Sequence, residues 1–428
     1  MVERQGPSRR RRGFPAVATA VVLAFGLSGC FGASVSPVAE FDPVDAPFSD
    51  EMAERLDAVL DQAVALSGSS GGIAGVWAPW AGEWTGASGT VGFGEKAPAA
   101  RVDDSFRLAT VTTEITCTVL LRLVDAGTVQ LDDEVTRYVD WIPSLDGITL
   151  EQLCRDTSGL PDYYPVLRGT FISNPERIWP PNELLSNGLA LSRVGPPGEQ
   201  VRESRTGILL LAFALERASG RSWADLANQY VYDPLGMEQT QLPQASATEH
   251  AGVLSAYSAA IAPTGGPDCA VLVDDSTQSS SMGGAAAGAI STLEDTRTLS
   301  EAFATGALLS EESEKQQWAT IPLGGGAPAW QSAGIGGLQY GPMRGTAGEL
   351  PGALTAAFTD PDNGLTVVVA LNNSTPGPDF VRETAFALAS IASKADAAEG
   401  RKRPLTELPW SVDQAMANMQ ALGICPKA

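Results

Sequence analysis

Histidine occurs once in the 428 residues, at His250, and lysine five times, at Lys96, Lys315, Lys394, Lys402 and Lys427. One histidine and scattered cysteines give no metal site, and any Ser-His-Asp triad has to use His250. That residue lies in the polar loop "ATEHAG" and reads as solvated. Basic side chains are scarce as a class: 28 Lys and Arg stand against 50 Asp and Glu, a net charge of -22. Such a surface offers little to meet phosphates, which excludes nucleic acid as a partner. The acidity reads as solubility. A Walker-type phosphate loop is missing, internal repeats are missing, and no cofactor is expected. Gly68-Ser69-Ser70-Gly71-Gly72 formally fits G-x-S-x-G. A nucleophile elbow needs a strand before it and a helix after it, and here the order is reversed.

Apolar runs are also short. "FPAVATAVVLAFG" (14–26) is too short for a typical spanning helix. It follows the cationic stretch Arg9 to Arg12 and precedes Leu27-Ser28-Gly29-Cys30, which resembles a bacterial lipobox. The expectation is a lipoprotein signal peptide over 1–29, lipidation of Cys30, and a Pro-, Ala- and Ser-rich tether over 30–48. The protein then sits outside the cytoplasmic membrane and touches it only through this anchor, since two or more acyl chains hold stably. "RRGF" resembles a twin-arginine signal, which leaves the export route open between that system and the general one. Four cysteines remain, at 117, 154, 269 and 425, an even number in an exported chain. Three pairings exist. Cys117–Cys154 and Cys269–Cys425 are favoured, because Cys154 lies in a segment expected to pack on the helix carrying Cys117, and Cys425 then staples the tail. Buried free thiols are the alternative.

Residues 49–67 read as a helix, capped by Ser49, with Asp50 and Glu51 in its first turn and Met52, Leu56, Val59 and Leu60 on one face. "IAGVWAPW" and "EWTGASGTVG" read as a hairpin. From about 105 the pattern is helical, and Gly127 ends it; a further helix is expected over 206–219. Strands return at 353–360 and 364–373, joined by "PDNG", and a helix follows at about 377–394. Ser411 and Gln414 form a capping box for a last helix that Gly423 stops. The fold class is α+β: an antiparallel sheet flanked by helices, with a mostly helical subdomain (about 105–285) inserted into a domain over 49–395, and a C-terminal tail with a short helix over 396–428.

Six stretches carry a resemblance. They are "FRLATVTTEITCTVLLRLVDAGTVQLDDEVTRYV" (106–139), "ITLEQLCRDTSGLPDY" (148–163), "PPGEQVRESRTGILLLAFALERASG" (196–220), "YVYDPLGMEQTQLP" (230–243), "GGAAAGAISTLEDTRTL" (283–299) and "GELPGALTAAFTDPDNGLTVVVALNN" (348–373). In that order they resemble the serine β-lactamase and penicillin-binding superfamily, specifically its class C β-lactamase and D-alanyl-D-alanine carboxypeptidase branch. The resemblance covers roughly 50–392 and implies a β-lactamase/transpeptidase-like fold.

It also implies three catalytic clusters. One is Ser-x-x-Lys at a helix start, where the amine lies a turn beyond the hydroxyl and takes its proton. The others are Tyr-x-Asn or Ser-x-Asn, and a strand carrying Lys or His two residues before Gly. This chain departs at each. Thr110 and Thr113 stand at the first, Glu203-Ser204-Arg205 at the second, and Thr346-Ala347-Gly348 at the third. None of the five lysines has a serine three residues before it. Glu203 and Glu349 add negative charge where the family's ligands present a carboxylate, and Arg205 is expected to pair with Glu203 from the same side of an extended segment. The expectation is a catalytically inactive relative that binds or scaffolds in the cell envelope, its partner a peptidoglycan fragment, a peptide or an envelope protein. The alternative is an active hydrolase of β-lactamase, carboxypeptidase or esterase type, using Thr110 with Glu203 as base. The aromatic stretch 162–181 reads as packing before it reads as a cleft rim. The oligomeric state is not legible.

Overall fold

The computed structural model describes residues 41–248 and 250–426. The signal segment, Cys30 and most of the expected tether lie outside them. Eight strands, β1 (Gly71–Ala78), β2 (Gly82–Gly89), β3 (Ile321–Pro322), β4 (Gln331–Ala333), β5 (Leu338–Tyr340), β6 (Met343–Leu350), β7 (Ala353–Thr359) and β8 (Thr366–Leu371), form one sheet ordered β2-β1-β8-β7-β6-β5-β4-β3. The first hairpin lies against the last strand: β1 runs antiparallel to β8, with Gly72 opposite Leu371 and Trp77 opposite Thr366.

Composition explains why this sheet sits between layers. β7 and β8, "ALTAAFT" and "TVVVAL", are buried at every position, so both faces need cover. Val367, Val369 and Leu371 pack toward α1 (Asp50–Leu66), whereas Val368 and Ala370 face the helical block. That block carries α2 (Thr112–Asp125), α3 (Leu150–Cys154), α4 (Arg205–Ser219) and α5 (Gly284–Ala287), and α6 (Leu293–Thr305) follows it. Joining α1 on the first face is α7 (Pro378–Ala392), with α8 (Val412–Leu422) packed on it through Ala415 and Met419. Full burial of each Val or Leu contributes roughly 1.5–3 kcal/mol, so the two apolar layers dominate the stabilisation.

Both expected disulfides are present. Cys117–Cys154 joins α2 to the end of α3, and Cys269–Cys425 joins an outer hairpin (Tyr257–Ile261 with Pro267–Asp274) to the segment after α8.

Several expectations need correction. Residues 44–48 do not hang free: Val44 N–H donates to the Pro79 carbonyl, Phe48 N–H to that of Glu83, and the Phe48 ring is buried. Phe48 ends the Pro-, Ala- and Ser-rich segment, and an aromatic next to an open sheet edge finds apolar cover there. α2 starts at Thr112 rather than near 105, after a 3-10 turn over Ala109–Val111. The α8 cap is one-sided: the Ser411 hydroxyl accepts from the Gln414 N–H, and no reciprocal bond from Gln414 is seen among the described residues. The outer hairpin and strands β3 to β5 were not anticipated, and β6 was expected only through the resemblance, at Thr346–Gly348.

Candidate functional site

The start of α2 is built under strain. Ala109 has φ +49°, a left-handed value that costs a non-glycine residue about 1 kcal/mol or more. That turn presses Thr110 against β6 at Gly348. A Cβ added to Gly348 would stand 1.7 Å from Thr110 Oγ1 and 2.7 Å from Thr110 N, so only glycine fits. The Thr110 hydroxyl forms no side-chain hydrogen bond among the described residues.

The other threonines of this turn are occupied. Thr113 donates to the Ala286 carbonyl at 3.2 Å, Thr116 to that of Ala285 at 2.6 Å, and Thr112 to that of Ala109 at 2.8 Å. Thr116 also accepts from Trp223 Nε1 at 2.9 Å. The Thr113 and Thr116 hydroxyls bind helix to helix, and that of Thr112 closes its own turn at Ala109. At position 113 this means a side chain anchored to α5, with no capacity to take a proton from Thr110.

Thr110, Thr113, Glu203, Arg205 and Thr346 all line one cleft of about 900 Å³, so the motif-equivalent positions do converge. Gly348 lies beneath Thr110. No lysine, histidine or tyrosine is among the described residues lining the cleft. The cleft is bordered by a free strand edge: β6 pairs with β7 along Arg344–Leu350 but with β5 only at Met343–Gly345. From Thr346 onward that edge has no ladder partner among the described residues.

The expected Glu203–Arg205 pair is secondary. Arg205 opens α4 behind the N-cap Ser204, so the two side chains do not share one extended segment. Its guanidinium bonds Asp162 at 2.5 Å and the Glu349 carbonyl at 3.1 Å, lies 4.1 Å from the Tyr164 ring centre, and reaches Glu203 only at 3.5 Å. Helix geometry turns Arg205 inward, where it pairs with Asp162, the more buried of its two carboxylate partners. Glu203 is half exposed to the cleft, and burial against its walls raises its carboxyl, opposed by Arg205. Glu349 is likewise raised by burial and held back by Arg205 and Arg168.

Three cleft residues, and one behind the cleft, escaped sequence reasoning. Asp156, at φ +56°, accepts from the Ser204 N–H at 3.1 Å and is raised well above the ordinary carboxylate range, first by desolvation and then by Glu203. Arg155 gives its fork to Glu151 and to the carbonyls of Gln316, Ala319 and Ala333. Arg202 lines the mouth. Behind the floor, Glu114 is fully buried; the Thr346 hydroxyl bonds its Oε1 at 2.5 Å, and burial pushes it up to about 8. One signal was available for Glu114: it is the only charged residue between Arg107 and Arg122.

The rival signals fall away from the cleft. His250 is partly buried rather than solvated, its pKa lowered by burial and then by Arg107. Ser69 and Ser70 are buried between α1 and β1. Tyr163, Tyr164, Phe171 and Trp179 form a buried aromatic cluster, edge-to-face at Tyr163–Phe171 and Phe171–Trp179.

Comparison with known proteins gives the same picture. The Beta-lactamase family profile matches residues 57–391. The D-alanyl-D-alanine-carboxypeptidase/endopeptidase AmpH of Escherichia coli (strain K12) is 34% identical over 158 residues, 35% of this chain and 40% of that protein. Penicillin-binding protein 4* of Bacillus subtilis (strain 168) is 31% identical over 156 residues, 35% of this chain and 32% of that protein. The matches therefore span well under half the length of these curated relatives. A D-stereospecific amidohydrolase from Streptomyces sp. superposes with a TM-score of 0.66 at 25% identity, over 75% of this chain and 94% of that one. Profile, relatives and fold agree: this chain belongs to the Beta-lactamase family.

Proposed function

We propose that this protein is a non-acylating member of its family that binds a peptide-like ligand of the cell envelope, tethered outside the cytoplasmic membrane through Cys30. The observation carrying this reading is the company Thr110 keeps. A threonine hydroxyl attacks a carbonyl only if a base takes its proton. Position 113 is spent on the Ala286 carbonyl, and the cleft is lined by no amine, imidazole or phenol among the described residues. What persists is binding apparatus: a cleft of about 900 Å³ and a free β6 edge, on which an extended chain can add as a strand. The relatives' names point to D-alanyl peptides, and by that analogy the ligand is a peptidoglycan fragment, with an envelope protein segment as the other source. Two disulfides support an oxidising, extracytoplasmic setting.

A second reading, Thr110 acting with Glu203 as base, draws on the raised carboxyl of Glu203 in the same cleft. Incubation with a purified muropeptide separates the two. The binding reading expects a raised melting temperature and an unchanged muropeptide mass after hours. Hydrolysis of the muropeptide refutes it.

A further inference from the structure

The cleft is polar, and of its three lining guanidiniums only Arg202, exposed at the mouth, has no side-chain partner among the described residues. Arg155 and Arg205, which both line the cleft, direct their donors to Glu151, Asp162, Glu203 and backbone carbonyls, leaving only the buried Arg205 Nε without a partner. Thr113 gives its only proton to Ala286, so it offers the cleft lone pairs alone. Thr346 is tied to Glu114, whose Oε2 is buried with no hydrogen-bond partner.

We propose that Glu114 and Thr346 act as a neutral reading pair, selecting ligands that present an uncharged amide, rather than a carboxylate, to the β6 edge. This rests on the binding reading above. Hydrogen-bond accounting supports it. With Glu114 ionised, the Thr346 proton goes to the carboxylate, and the hydroxyl shows the cleft only lone pairs. With Glu114 neutral, its own proton can go to Thr346, which frees the threonine proton for the ligand. A carboxamide suits both arrangements: its N–H groups meet lone pairs and its C=O meets a free proton. A carboxylate suits only the second, and at Thr346 it then loses its hydration without a cation from Arg155 or Arg205, which are engaged elsewhere. Burial alone, opposed only by Thr346, pushes Glu114 up to about 8, and no charged side chain assists or resists it. An anion placed beside it pushes in the same direction.

The test compares N-acetyl-D-alanyl-D-alanine amide with N-acetyl-D-alanyl-D-alanine, titrated calorimetrically into the purified protein at neutral pH. An unpaired, desolvated acceptor costs enough that the amide should bind about tenfold tighter or more. Thr346→Val, close in shape but without the hydroxyl, should bring the two affinities together. Equal or tighter binding of the acid by the unsubstituted protein overturns this inference and leaves the binding reading standing. So does a Thr346→Val protein that keeps the full preference. Binding of neither probe overturns both.

Discussion

Thr110 rests directly on Gly348: its Oγ1 occupies space within 1.7 Å of where any β-carbon at 348 would be. The contact fixes the first turn before α2 on strand β6 and leaves the Thr110 hydroxyl at the floor of the cleft. The obstacle at 348 is partly backbone, since Thr110 N stands 2.7 Å from the same point. Gly348→Ala should therefore destabilise by about 1–3 kcal/mol, read as a lower denaturant midpoint at constant m. Adding Thr110→Ala should recover only part of that loss, because the backbone nitrogen remains. Full recovery would show that the hydroxyl alone sets the contact.

Much of this was legible in the chain. α1 and α7 announce themselves through helical apolar spacing, and β7 and β8 through apolar runs, β-branched in β8, on either side of a turn. The disulfide pairs follow from which segments pack. Strands β4 and β5 were hidden, and β6 was legible only through the motif at Thr346–Gly348, because "QSAGIGGLQYGPMRGTAGEL" is rich in glycine and polar residues. Their order comes from pairing with neighbours, which no local propensity encodes. At the site, Thr110, Thr113 and Thr346 could be placed by motif counting. Their partners could not: Glu114 and Thr346 are 232 residues apart, and Thr113 and Ala286 are 173 apart.

Glu114 predicts an acid-shifted stability profile. Its folded pKa of about 8 lies above the ordinary 4.5 expected in the unfolded chain. Between those values the folded state holds a proton that the unfolded state has lost. Stability from this group is thus full below about pH 4.5 and falls as pH rises toward 8, by at most about 1.4 kcal/mol per pH unit. Asp275, raised to about 7 by burial, acts in the same direction. Glu114→Gln keeps an acceptor for Thr346 and cannot ionise, so its midpoints at pH 5 and pH 8.5 should differ less than those of the unsubstituted protein. An unchanged difference would remove Glu114 from the explanation.

The Cys269–Cys425 bond spans 156 residues and anchors the tail beyond α8 to the outer hairpin. Replacing both cysteines with alanine should cost about 2–5 kcal/mol. Amide exchange should rise first in α8, which buries only Ala415 and Met419. Exchange rising first in α2 instead would locate the weak point elsewhere.

Intact-mass spectrometry of the purified protein after incubation with benzylpenicillin, and separately with a fluorophosphonate, tests the account most directly. With no proton acceptor engaged with the Thr110 hydroxyl, the mass should stay unchanged in both. A penicilloyl or phosphonyl adduct that maps to Thr110 would contradict it.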